Sequence, residues 1–197
     1  MRRAGSVALL AVCTQPAAPA LSVDPPPEPR PIGRGPLYRP PATGKAVRAA
    51  TPIRGLRCSP VRRARFGAHL ELFANRYSVI VPAGIGIAPP LRRDGPYVRS
   101  GRCSYALRTR EPTGVIEVAR GAPPTLGDFF AVWGQPLSAR RLAGFRAHRG
   151  DRVRAYVAGR LWRKPLGRIP LSRHAQIVLE VGGYVRPHPR YLFPSGL

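Results

Sequence analysis

The sequence predicts an α+β fold, a mostly antiparallel sheet built from hairpins with one amphipathic helix packed on it. Three observations carry the expectation. Several short stretches alternate apolar and polar side chains with period 2, turn-forming pairs such as Asn75-Arg76 and Ala158-Gly159 separate them, and one segment, residues 125–133, repeats with helical period.

Taken in order, the first strand begins at Ala68. Leu70, Leu72 and Ala74 share one face, with His69, Glu71 and Phe73 on the other. Asn75-Arg76 predicts a tight turn, since Asn tolerates left-handed backbone, into Tyr77-Ser-Val-Ile-Val81. Pro82 and the glycines of PAGIGIAPP end that hairpin. The Gly84-x-Gly86 spacing is not a phosphate loop, because prolines rather than a helix follow it. Residues 103–110 alternate again, with Cys103, Tyr105, Leu107 and Thr109 on one face and Ser104, Ala106, Arg108 and Arg110 on the other. Thr113-Gly114 turns the chain into a short strand, Val115–Val118.

The helix follows. Thr125 is a natural N-cap, Asp128 complements the positive helix end, and Leu126, Phe129, Phe130 and Trp133 form one apolar stripe. Such a stripe predicts core packing against a sheet rather than a ligand pocket. Gly134 and Pro136 stop the helix. Val153–Val157 and Arg160–Arg163 predict a second hairpin. His174–Val181 predicts the last strand, with Ala175, Ile177, Leu179 and Val181 inward.

The flanks read differently. In residues 1–20, Arg2 and Arg3 precede an apolar run from Val7 to Cys13, and Ala18-Pro19-Ala20 supplies small-x-small cleavage spacing, so a secretory signal peptide is expected. Cys13 as a lipidated residue fits poorly, because Val12 stands where a small residue is needed. Twelve of the 25 prolines lie between Pro16 and Pro60, so residues 21–60 predict an extended, proline-rich leader without helix or central strand. A single globular domain is expected over 61–183 and a frayed or surface-draped tail over 184–197. No apolar run is long enough to cross a bilayer as a helix. Removal of a signal leaves Cys58 and Cys103, an even count in an oxidising compartment, and predicts a disulfide.

The charge is extreme. Lys and Arg number 33 against 9 Asp and Glu, a net +24, and only Lys45 and Lys164 are lysines. Such a chain should meet polyanions. The arginines are dispersed, and no KH, zinc-finger, RNP or helix-turn-helix pattern appears, so specific nucleic-acid recognition is not expected.

Four stretches, AHLELFANRYSVIVPAGIGI, CSYALRTREPTGVIEV, TLGDFFAVWGQPLS and IPLSRHAQIVLEVG, occur in the order and spacing of a family of uncharacterised exported bacterial proteins, which the chain resembles over roughly residues 58–182. The Trp-Gly-Gln-Pro-Leu block is the most specific part. Members carry a His-x-His before the first strand's apolar run, and a Cys-x-Tyr-Trp-Leu-His-Thr-His-Asp strand followed by a later His. The resemblance implies a shared fold and no activity. It also implies metal ligands, since histidines at i and i+2 of a strand point to one side. Here the first pair becomes Gly67-Ala68-His69, the His-Thr-His-Asp becomes Arg108-Thr109-Arg110-Glu111, and the later His becomes Glu117. Guanidinium has no lone pair to give a metal. The expectation is a degenerate, lost metal site and no cofactor. His69, Glu111 and Glu117 are the weak ligand candidates should metal be kept.

Arg108 and Arg110 are the candidates for binding a carboxylate or phosphate; alternatively they form a solvated face paired with Glu111. Ser104, Ser138 and Ser172 lie in no nucleophile elbow, and His69, His148, His174 and His188 form no catalytic constellation, so no enzyme is expected. The leading reading is an exported, non-enzymatic basic protein meeting anionic envelope components. The alternatives are a cytoplasmic nucleic-acid binder and a weak divalent-metal binder.

Overall fold

The structure, a computed structural model, describes residues 41–60, 63–119, 124–186 and 190–197. The signal-peptide reading and the first half of the proline-rich leader therefore lie outside the described residues. The second half of that leader corrects the sequence reading. Lys45–Ala49 forms a short helix, α1, and its Val47 is fully buried in the core. The prolines stop at Pro41 and resume at Pro52, leaving a proline-free window in which one helical turn can close. The Trp133 indole donates to the Pro41 carbonyl at 2.8 Å, so the segment is tied to the domain.

Among the described residues fourteen strands follow, in four sheets. They are β1 (Ala64–Ala74), β2 (Tyr77–Val79), β3 (Ile87–Ala88), β4 (Arg92–Asp94), β5 (Tyr97–Ser100), β6 (Cys103–Ser104), β7 (Leu107–Arg108) and β8 (Val115–Ala119), then the helix α2 (Leu126–Trp133). After it come β9 (Leu137–Ser138), β10 (Arg141–Leu142), β11 (Phe145–Arg146), β12 (Arg154–Val157), β13 (Arg160–Leu161) and β14 (Gln176–Val181). The main sheet has seven strands in the order β13-β12-β14-β1-β8-β7, with β2 paired to β1. All its pairings are antiparallel except β1 with β14, which run parallel through the centre. The α+β class and the mostly antiparallel pairing are as the sequence predicts.

Both predicted hairpins form. Asn75 and Arg76 (φ 51° and 68°) turn β1 into β2, and Ala158 and Gly159 (φ 49° and 76°) turn β12 into β13. Two successive left-handed residues match the twist of the strands they join. The helix also forms as read: the Thr125 hydroxyl and Asp128 carboxylate close a capping box, and Gly134 ends the helix at φ 75°. Its stripe, Leu126, Phe129, Phe130 and Trp133, joins Leu70, Leu72, Ile177 and Leu179 in one core. Full burial of each such side chain is worth about 1.5–3 kcal/mol.

The predicted strand 103–110 is broken in two. β6 pairs with β3, β7 pairs with β8, and the chain changes sheets between them. Opposite the break, Gly86, at φ 71°, brings its backbone against the Leu107 carbonyl, where any Cβ would collide. Two further small sheets, β4–β5 and β9–β10–β11, lie where the sequence predicts no element.

The Cys58–Cys103 disulfide is present, with a Cα–Cα distance of 5.5 Å. It fastens the segment after α1 to β6. The described part of the tail, 184–186 and 190–197, is draped over the sheet rather than frayed. Tyr191 stacks on His69, Phe193 stacks on His174, and Gln176 hydrogen-bonds the Tyr191 backbone with both ends of its amide. No helix among the described residues is long and apolar enough to cross a membrane.

Candidate functional site

β7 and β8 place Arg108 directly across from Glu117. Arg108 Nε donates to Glu117 Oε2 at 2.7 Å, and its Nη1 donates to Ser104 Oγ at 3.1 Å. The Arg108 side chain is 3% exposed and that of Glu117 12%. Arg110, 35% exposed, lies 3.1 Å from Glu117 Oε1 through Nε and donates from Nη1 to the carbonyls of Val98 and Arg99. The two predicted anion-binding guanidiniums thus converge, as the alternation implied, and the carboxylate between them is the chain's own. Every other described arginine is exposed. A guanidinium as buried as Arg108 requires a charged partner. The reading of a solvated face paired with Glu111 is therefore corrected: Arg108 is buried, and its partner is Glu117.

His69 is engaged elsewhere than in that pair. His69 is 7% exposed and its Nε2 donates to the Thr113 carbonyl at 2.9 Å, which fixes the proton on that nitrogen. Burial pushes the Glu111 carboxyl above its ordinary range, with the Glu117 charge adding to the shift. Among the described residues no group of three His, Cys, Asp or Glu side chains could hold a metal ion. The weak metal candidates His69, Glu111 and Glu117 are thus not gathered into one site. Glu117 is clamped by cations, and the imidazole is committed to a backbone carbonyl.

On the outer face of β1 and β14 the structure holds a cavity of about 160 Å³ lined by His69, Glu71, Tyr156, Gln176 and Glu180, with Tyr184 and Val185 of the tail at its edge. Glu180 is 2% exposed; its Oε1 accepts from the Val185 amide at 3.1 Å, while Oε2 has no hydrogen-bond partner among the described residues. Burial raises its carboxyl, opposed by that amide and by Arg154 across the β12–β14 ladder. Burial also pushes Glu71 up to about 7. The cavity therefore holds two carboxyl groups biased toward their protonated form, able to donate as well as accept hydrogen bonds. Sequence reasoning did not find Glu71 or Glu180 as a pair. The signal was the polar alternate positions of two strands, and nothing local showed that those strands are neighbours.

A larger groove, about 570 Å³, runs between β9, β12, β13 and the single-turn helix Leu166–Arg168. Arg152, Arg154, Arg163 and Lys164 line it together with Trp162. The Trp162 indole donates to the Pro165 carbonyl at 3.3 Å, and Lys164 Nζ stands 5.9 Å from its ring centroid. Among the described residues the surface charges are partitioned. Both lysines are exposed, whereas Asp94 is the single exposed acid among the described residues and is paired with Arg99.

No protein-family model matches the chain, and neither a curated protein nor a solved structure is similar enough to count as a match.

Proposed function

We propose that this chain is an exported, non-enzymatic basic protein, a divergent member of the family it resembles, whose arginine-rich exterior associates with anionic components of the cell envelope. The observation that carries the reading is the partition of charge. All described arginines but Arg108 and Arg110 face solvent, while the described acids other than Asp94 are partly or fully buried. A surface of one sign concentrates oppositely charged polymers and headgroups around it. The disulfide between Cys58 and Cys103 is consistent with an oxidising compartment.

The test is binding of the full chain to anionic and zwitterionic vesicles and to polygalacturonate across a series of salt concentrations. Binding to the anionic partners should weaken steeply between low and physiological ionic strength, as screened surface charge requires. Absence of binding to every anionic probe, or binding indifferent to salt, would overturn the reading. Fractionation of producing cells tests export: a cytosolic protein with its first twenty residues intact removes the envelope as its partner.

A further inference from the structure

Four cationic side chains and one indole share the groove beside β12 and β13, and this arrangement goes beyond a general basic surface. Arg152, Arg163 and Lys164 are exposed, and Arg154, also exposed, shares its charge with Asp151 at 3.9 Å and with Glu180 across the β12–β14 ladder. The charges of Arg152, Arg163 and Lys164 are therefore available, unlike those of Arg108 and Arg110. Buried Val153 and half-buried Leu166 add apolar lining. Trp162 is the groove's only aromatic residue, and its indole N–H is already held by the Pro165 carbonyl. That bond fixes the ring, which is partly buried against the core with Lys164 Nζ near it, and its remaining exposed part is the apolar surface it can offer.

We propose that this groove is a binding site for an acidic polysaccharide, its arginines gripping the carboxylates of a sugar polymer while one sugar ring packs on Trp162. Guanidinium forms paired hydrogen bonds to a carboxylate. A pyranose ring presents a C–H face that packs on indole as other apolar surface does. A groove built for single-stranded nucleic acid needs successive aromatic platforms for successive bases, and here there is one. The inference rests on the polyanion reading above and narrows it to one site and one class of polymer.

The experiment uses the full chain, with polygalacturonate as the acidic sugar polymer, dextran as the neutral one and oligodeoxythymidylate as the nucleic acid, all at one ionic strength. The chain has two tryptophans, and the other, Trp133, is wholly buried, so a change in emission on binding reports on Trp162. Polygalacturonate should alter that emission and dextran should not. Trp162→Ala should weaken binding by up to about tenfold, the scale of one lost ring contact, and the double variant Arg152→Gln with Arg163→Gln by about tenfold, the scale of one lost charge-assisted contact. Removing the same charge from the β4 hairpin, with Arg92→Gln and Arg93→Gln, should cost less than about twofold, as dispersed surface charge does. Urea midpoints confirm that each variant is folded.

If polygalacturonate binds but the groove variants lose no more than the β4 control, the groove inference is overturned and the basic-surface reading stands. If oligodeoxythymidylate binds more tightly than polygalacturonate, the choice of polysaccharide is overturned. If no polyanion binds, both readings fall.

Discussion

Replacing Glu117 with Gln tests the electrostatic centre of the predicted strand. The substitution keeps the size of the side chain and one acceptor for Arg108 Nε, so it removes charge rather than shape. Arg108 is 3% exposed and lies 2.7 Å from the carboxylate, whereas Arg110 is 35% exposed. Loss of the ionised partner leaves Arg108 a buried, uncompensated cation, at a cost of about 3–5 kcal/mol. The retained amide acceptor places the expectation near 3 kcal/mol. Arg110→Ala should cost no more than about 1 kcal/mol, because its pairing is solvent-screened. With a urea m-value of about 2 kcal/mol/M for a domain of this size, Glu117→Gln should lower the midpoint by roughly 1.5 M and Arg110→Ala by about 0.5 M. The double variant Arg108→Met with Glu117→Leu removes both charges, so it should recover most of the loss. Circular dichroism across a urea series measures all four proteins. A midpoint for Glu117→Gln within about 0.3 M of the wild type, or a double variant less stable than the single one, would refute a buried guanidinium dependent on its carboxylate.

Three further outcomes follow from the same physics. Burial holds Glu71 at about 7 against an ordinary 4.5, so the folded chain holds that proton more tightly than the unfolded one. Its stabilising contribution is whole below about pH 4.5, falls between there and pH 7, and is gone above; the loss is at most about 3 kcal/mol. The stability difference between wild type and Glu71→Gln in urea should therefore change across pH 5 to 8, and a constant difference would count against it. Reduction of Cys58–Cys103, which spans 45 residues, should cost about 4 kcal/mol on the chain-entropy relation; an unchanged urea midpoint with dithiothreitol would contradict this. Gly86→Ala must place a Cβ against the Leu107 carbonyl at a positive φ, so it should destabilise by more than about 2 kcal/mol, and a variant as stable as wild type would show that the crossing relaxes.

The local signals read true where the cause is local. The capping box of α2 needs only Thr125 and Asp128, three residues apart, and the turns at Asn75-Arg76 and Ala158-Gly159 need only two residues each. The sequence misled where the cause is distant. Residues 103–110 alternate as one strand, but Gly86 and its neighbours draw Cys103 into a different sheet from Leu107. The parallel pairing of β1 with β14 joins segments about a hundred residues apart, and it alone brings Glu71 and Glu180 to one cavity. Alternation gave the correct face for both glutamates without revealing that they are neighbours. Likewise the convergence of Arg108 and Arg110 was legible from their i, i+2 spacing, whereas their partner depended on the β7–β8 register, which sets Glu117 rather than Glu111 opposite Arg108.

The same placements explain why the surface is so strongly basic. Asp128 caps α2, Glu117 holds Arg108, Glu180 accepts from the Val185 amide, Asp151 accepts from the Arg152 amide, and Asp94 pairs with Arg99 across the β4–β5 hairpin. Each of these acids has a definite structural partner in the fold. With nine acids in the whole chain, few remain to offset arginines on the exterior. A fold that needed its carboxylates only for solubility would scatter them over the surface, where surface substitutions cost little. Here they are concentrated at caps, ladders and a tail contact. Acids with structural work thus lie, Asp94 apart, partly or fully inside, and the described exterior is left cationic.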